Sequence, residues 1–257
     1  MSSDLEILLT NDDGIESPGI RALYDGLTDV GNVTVVAPAE NQSATGRAMS
    51  SEVAVHEHEL GYAIAGTPAD CVVAGLEALG PYPDLVVAGC NKGANLGQYV
   101  LGRSGTISAA VEAAFFGLPS IAVSLFLTSE EFERETAVDD YETAVDATTY
   151  LAEHALDSGV FEQAEYLNVN TPRPDRSTDE MVVTRPSHGY DMTATRNGDG
   201  RITLHDRMWE KMDAGEVDDP PGTDRRAVLD GKVSVSPLTA PHTTEHHEAL
   251  DALAETY

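Results

Sequence analysis

An apolar strand that runs straight into two adjacent carboxylates constrains this chain more than anything else in it. Leu5, Ile7, Leu8 and Leu9 form a short apolar run, as a strand buried on both faces requires. Asn11, Asp12, Asp13 and Gly14 end that strand. Ser17 then caps a helix with Pro18 at its first position, where a missing N–H costs nothing. Asp12 and Asp13 are thereby placed at the carboxyl end of an N-terminal strand, the edge at which open α/β sheets hold their ligands. Two neighbouring carboxylates repel, so keeping both ionised calls for a cation, and hard oxygen donors suit Mg²⁺, Mn²⁺ or Ca²⁺. Asp, Asp and Gly are also ordinary turn formers, so the metal reading depends on partners from elsewhere in the chain.

The following segments repeat one grammar. Ile20, Leu23, Tyr24 and Leu27 recur at helical spacing, and Val33–Ala37 is a second apolar strand, which together make a βαβ unit. The polar loop Pro38–Ser50 leaves that strand on the same edge as the acidic pair. Short strands are expected over Ser51–His56 and Tyr62–Ala65, followed by a helix to about Leu79 with Thr67 as cap, Pro68 first and Asp70 completing a capping box. Asp84–Gly89 reads as a buried strand, and the glycine- and asparagine-rich loop Cys90–Arg103 suits close backbone approach to a ligand. Ser104, Gly105 and Thr106 open a further helix, whose N–H groups and dipole favour an anion. Pro119–Leu125 is a strand, about Asp139–Leu156 a helix, and Tyr166–Val169 the last strand of this layer. From Met181 the pattern is that of a hairpin about Asn197–Gly200, followed by a polar loop, a short strand at Val233–Val235 and a helix over His246–Glu255. The expectation is an α/β, Rossmann-like, mostly parallel sheet flanked by helices. It divides into a core of residues 1–176 and a hairpin appendage with a C-terminal helix for oligomerisation, 177–257.

Charge narrows the partners. The chain of 257 residues carries 15 Lys plus Arg against 44 Asp plus Glu, a net charge of −29, with the acids spread over every segment. Such a field repels nucleic-acid duplexes and anionic membranes, and it resembles the solvated acidic coat of a halophile. The two cysteines, Cys71 and Cys90, are expected as buried thiols. With no signal-like start and no long apolar run, a cytoplasmic protein is expected.

Four polar clusters fall on the expected carboxyl edge: Asn11-Asp12-Asp13, Asn41-Gln42-Ser43, Asn91 to Asn95, and Ser104-Gly105-Thr106. Two carboxylates with neutral oxygens from Ser43 and Asn91 would bind one hard divalent cation, and the helix start at Ser104 would hold phosphate oxygens. The chain resembles the SurE family of survival proteins, metal-dependent 5'-nucleotidases, through ILLTNDDGIESPGI, VVAPAENQSATG, GTPADCV, PDLVVAGCNKGANLG, SGTISAAVEAAFFGLPSIAVS and GTDRRAVLDGKVSVSPL.

The resemblance implies hydrolysis of nucleoside 5'-monophosphates with Asp12 and Asp13 as the catalytic pair. It implies one Mg²⁺ or Mn²⁺ per subunit on Asp12, Asp13, Ser43 and Asn91, and phosphate at Asn11, Asn95, Ser104, Gly105 and Thr106. It also implies a homodimer or homotetramer. Two departures stand out: Gln98-Tyr99 where many relatives carry acids, and Ala44 where they carry glycine. A receiver-like module or a nucleotide-binding module without catalysis are the alternatives. The receiver needs an acid at the end of the central strand, which here reads Gly89-Cys90-Asn91. A D-x-D phosphatase is opposed by Asp-Asp-Gly. Trp209 is expected as a hairpin or interface anchor, with a base-stacking role as the other reading, and His205, His242, His246 and His247 as surface or packing residues.

Overall fold

The computed structural model describes residues 5–240. The helix expected over His246–Glu255 lies outside them, as do His242, His246 and His247. In chain order the elements are β1 (Leu5–Thr10), α1 (Pro18–Leu27), β2 (Gly31–Pro38), β3 (Val55–His58), β4 (Gly61–Ile64), α2 (Pro68–Glu77), β5 (Leu85–Lys92), α3 (Gly105–Phe115) and β6 (Ser120–Leu125). There follow α4 (Ser129–Phe132), α5 (Glu142–His154), β7 (Tyr166–Thr171), β8 (Met181–Val183), β9 (Met192–Arg196), β10 (Ile202–Asp206), α6 (Arg207–Ala214), α7 (Asp224–Leu229) and β11 (Val233–Leu238). Nine strands form one sheet in the order β3-β4-β2-β1-β5-β6-β7-β11-β8, and β9 pairs with β10 as a separate antiparallel hairpin.

From β4 through β7 every pairing is parallel. Because β2 and β4 lie on one side of β1 while β5, β6 and β7 lie on the other, the strand order reverses between β1 and β5, and that crevice is where such sheets take ligands. Pleating explains the two-sided core. Ile7, Leu9, Val35 and Val87 face α1 and α5, with Ile20, Leu23, Leu27 and Ala144, while Leu8, Val36, Val86 and Ala88 face α2 and α3, with Val72, Leu76, Ala109 and Ala113. Each buried Val, Leu or Ile among them contributes about 1.5–3 kcal/mol. Alpha-helix α1 lies close on the sheet at Gly19, where a Cβ would come 2.1 Å from the Cys90 carbonyl oxygen.

Several expectations change. The strand placed at Ser51–His56 begins only at Val55; just before it, the chain is tied to the start of α2, where Asp70 accepts from Ser50 N at 2.7 Å as well as from Thr67 N. The capping box itself is present. Ser17 stands at the N-cap of α1 without capping it, since its hydroxyl accepts from Asn11 Nδ2. Tyr150, expected to pack, is 55% exposed and stacks on His154. Met181–Val183 is not the first arm of the hairpin. It joins β11 in parallel, and β11 pairs antiparallel with β7, so β7 is not the last strand and residues beyond 176 extend the main sheet. Helices α4, α6 and α7 went unread because they are short and amphipathic over too few turns to show a period.

Candidate active site

The strand order brings three segments to the reversal. After β1 the chain turns at Asp12 and Asp13, with Asn11 donating to Gly14 O at 2.8 Å and to Ser17 Oγ at 2.8 Å. The loop after β2 closes against this turn through Gln42 N to Asp12 O at 2.7 Å and Ile15 N to Pro38 O at 2.8 Å. Strand β5 runs on through Asn91 and Lys92, beyond the end read from its apolar residues, after a register shift against β6 between Ala88 and Asn91. Bulges of this kind re-aim the side chains that follow them.

Asp12 is 3% exposed, and its Oδ1 accepts from Thr106 Oγ1 at 2.6 Å. Burial pushes its carboxyl above the usual range, against the pull of Thr106 and of the α3 backbone at Gly105 and Thr106. Asp13 is pushed up to about 7, by burial first and the charge of Asp12 second, with Lys92 N at 2.7 Å and Asn41 opposing. Asn91 donates through Nδ2 to Gly93 O at 2.5 Å, which leaves its Oδ1 as the acceptor, and Ser43 brings a hydroxyl on the loop after β2. The buried Asp12 carboxylate and the partly buried Asp13 carboxylate next to it resist ionisation together, and with the neutral oxygens of Ser43 and Asn91, which line the same cavity as Asp12, they match the donor set of a hard divalent cation. All four donors, Asp12, Asp13, Ser43 and Asn91, are oxygens, the ligand type that suits Mg²⁺ or Mn²⁺.

A cavity of about 490 Å³ is lined by Asp12, Ser43, Asn91, Asn95 and Ser104, five of the residues expected from the sequence. Asn95 is fixed through its backbone N to Asn170 Oδ1 at 2.8 Å and its Nδ2 to Ser124 Oγ at 2.9 Å, on β7 and β6. Ser104 caps α3 by accepting from Ile107 N, and its hydroxyl hydrogen is free to donate. The other expected residues stand behind this lining. Asp13 pairs with Lys92 N, Thr106 is fully buried against Asp12, Asn11 holds the turn, and Gly105 lets α3 approach: a Cβ there would lie 2.7 Å from Asp12 Cβ. The dipole of α3 therefore acts on Asp12 first.

Lys92, Arg103 and Phe132 also line the cavity without having been expected there, as do Tyr99, in one of the two departures from the family pattern, and Trp209, for which base stacking was the second reading. Two signals were available: Lys92 is one of three lysines in the chain and follows Asn91 directly, and Arg103 directly precedes Ser104. Trp209 is half-buried on α6, not on the hairpin. His205 is exposed and pairs with Glu210 at 2.7 Å. Asp84, the acid a receiver would need at the carboxyl edge, instead accepts from Glu6 N at the opposite edge. The cysteines are buried free thiols. Among the described residues no helix is long and apolar enough to cross a membrane.

The model of the family described as Survival protein SurE matches residues 7–193. A 5'-nucleotidase SurE of Halobacterium salinarum is 73% identical over 250 residues, 97% of this chain and 96% of that one. A 5'-nucleotidase SurE of Haloarcula marismortui is 68% identical over 255 residues, covering 98% and 94%. The crystal structure of the SurE protein from Aquifex aeolicus superposes with a TM-score of 0.76 at 31% identity, over 98% of this chain and 99% of that one. A family model spanning most of the chain, near-full-length relatives and a shared architecture agree: the chain belongs to the SurE family.

Proposed function

We propose that this protein is a divalent-metal-dependent phosphomonoesterase that hydrolyses nucleoside 5'-monophosphates to nucleoside and phosphate. The observation that carries the reading is the convergence of Asp12, Ser43, Asn91, Asn95 and Ser104 on one cavity at the strand-order reversal. A chain with these residues in place is 73% identical to a protein named a 5'-nucleotidase.

Asp12, Asp13, Ser43 and Asn91 would hold one Mg²⁺ or Mn²⁺, which supplies Lewis-acid neutralisation of phosphate charge and a template for water. Ser104 donates its hydroxyl to a phosphate oxygen, and Asn95 offers the remaining N–H of its amide. Lys92 and Arg103 add positive charge beside the same cavity, against the field of an acidic chain. Thr106 keeps Asp12 in one rotamer through the hydrogen bond to Oδ1, so the carboxylate needs no reorganisation when substrate arrives. Water oxygen bonds to phosphorus as the bond from phosphorus to the ribose O5' breaks, and the proton released by water ends on that leaving oxygen. No covalent enzyme intermediate is required.

Phosphate release from a panel of nucleoside 5'-monophosphates, with EDTA and after return of Mg²⁺ or Mn²⁺, tests the reading. Release that stops with chelator and resumes with the cation supports it, and release indifferent to chelator rejects the metal. No release from any member rejects the enzyme.

The proposed assembly is a cytoplasmic homodimer or homotetramer in which residues 177–257 supply contacts between subunits. Ile202 and Leu204, 62% and 72% exposed on β10, give the hairpin an apolar surface of the kind a second subunit covers. A monomer mass by light scattering rejects it.

A further inference from the structure

The cavity is lined by two unlike sets of residues, and phosphate chemistry uses only one of them. Asp12, Ser43, Asn91, Asn95 and Ser104 offer oxygens and N–H groups, while Tyr99, Leu127, Phe132 and Trp209 offer aromatic and apolar surface. A volume of about 490 Å³ is far more than a phosphate with a cation needs and suits a small molecule with an apolar part.

We infer that the indole of Trp209 is the platform on which the nucleobase stacks, and that Tyr99 and Asp206 position it; the inference rests on the nucleotidase reading and deepens it. Asp206 is the N-cap of α6. Its Oδ1 accepts from Met208 N at 3.0 Å, and its Oδ2 accepts from the Tyr99 hydroxyl at 2.7 Å. One carboxylate thus ties the glycine-rich loop after β5 to the first turn of α6, where Trp209 stands.

Tyr99 is itself fixed. The guanidinium of buried Arg225 lies 5.5 Å from its ring centre, that of Arg103 lies 5.3 Å away, and Tyr190 meets it edge-on at 5.2 Å. Burial and the Asp206 carboxylate hold the Tyr99 phenol far above its ordinary pKa, so it stays a donor. From the other side, Asp213 of α6 accepts from Ser129 N of α4 at 3.0 Å, which links α6 to the helix bearing Phe132. Trp209 is half-buried against the apolar cluster that contains Ala94, Leu96, Phe126 and Met212, and it also lines the cavity. A base stacked on an indole needs no hydrogen-bond code, and a purine, with the larger face, gains more than a pyrimidine.

The chain contains one tryptophan, so its fluorescence reports on this residue alone. The full-length protein with its activating cation is mixed in a stopped-flow instrument with adenosine 5'-monophosphate or with ribose 5-phosphate, and Trp209→Leu and Tyr99→Phe are compared by steady-state kinetics on both esters. Quenching by the nucleotide but not by the sugar phosphate is expected. The Trp209→Leu change is expected to raise KM for the nucleotide about tenfold, with kcat and the ribose 5-phosphate kinetics held within about twofold. Tyr99→Phe should shift the same KM in the same direction by less.

Equal fluorescence responses to the two esters, or a nucleotide-to-sugar preference unchanged in Trp209→Leu, overturns the platform while leaving the nucleotidase reading intact. A wild-type protein that hydrolyses neither ester overturns both. Should Trp209→Leu fail to fold, the wild-type fluorescence comparison decides alone.

Discussion

Gly105→Ala separates the site from the fold. Gly105 is the first residue of α3, and a Cβ there would lie 2.7 Å from Asp12 Cβ and 2.8 Å from Asp12 Oδ2, where an ordinary contact needs at least 3.4 Å. Something must shift by about 0.7 Å. Asp12 cannot swing freely, because its hydrogen bond to Thr106 is buried and carries charge, a class of bond worth about 1.5–3 kcal/mol. Alpha-helix α3 cannot lift freely either, since Ile107, Ala109, Ala110 and Ala113 are all fully buried. Overpacking of this kind costs about 1–3 kcal/mol, offset by up to about 1 kcal/mol from replacing glycine in a helix. The net loss, roughly 0–3 kcal/mol, leaves a chain of ordinary stability folded. Turnover should fall on the order of 10²-fold, the effect of a 1 Å misplacement of a reacting group. Phosphate release and the denaturant midpoint are measured together, with Gly102→Ala as control because a Cβ there meets nothing within 4 Å. Gly105→Ala turnover within about threefold of wild type would refute the argument that this contact sets the position of Asp12.

Three further outcomes follow from the charge, the acidic pair and one strained residue. With a net charge of −29, the melting temperature should rise from low salt to molar KCl as the screening length contracts from about 10 Å at 0.1 M to about 3 Å, and an unchanged temperature contradicts the halophile reading. The raised pKa of Asp13, about 7 against an ordinary 3.8, means that between those values the folded, chelator-treated chain holds a proton which the unfolded chain lacks. Stability from this group is therefore lost as pH rises through that window. The melting difference between wild type and Asp13→Asn should decline across it, and a flat difference opposes the burial argument. Ala44 holds φ +62, a left-handed conformation that costs a residue with a Cβ about 1–2 kcal/mol. Ala44→Gly, after its own entropy cost, should stabilise by about 0.5–1 kcal/mol in denaturant titration. A loss of stability would count against the strain.

How much was legible depended on where each residue's partners lie. The parallel core was readable because its strands are continuous apolar runs and its helices open on local signals, such as Thr67-Pro68-Ala69-Asp70, whose bonds close within four residues. The polar lining was readable because its residues sit close in sequence to strand ends and a helix start: Asp12 just past β1, Ser43 in the loop after β2, Asn91 at the end of β5 and Ser104 at the N-cap of α3. What could not be read depends on distant contacts. Strand β8 pairs with β11 across about fifty residues, and three residues separate neither from a hairpin pattern by composition. Asp224, which looks like any turn acid, is fully buried and accepts from Gly97 N at 2.7 Å and Ser187 N at 2.9 Å, locking the glycine-rich loop from the far end of the chain. On the aromatic side of the cavity Phe132 gives no signal in the sequence, and Trp209 could be weighed as a stacking residue but not placed, because both sit on helices too short to show a face and are brought together only by the tertiary fold.

The central claim is that Asp12 and Asp13 hold the cation on which hydrolysis depends, and calorimetric titration of chelator-treated protein with Mn²⁺ tests it most directly. Wild type should bind one ion per chain and recover phosphate release in step with occupancy, because two carboxylates and two neutral oxygens supply the protein's share of one hard-cation site and leave positions for water and phosphate. Asp12→Asn and Asp13→Asn, with unchanged circular dichroism, should lose that binding and that release together. Binding of the ion at wild-type affinity by either variant, or turnover in wild type before any ion is bound, would contradict the account.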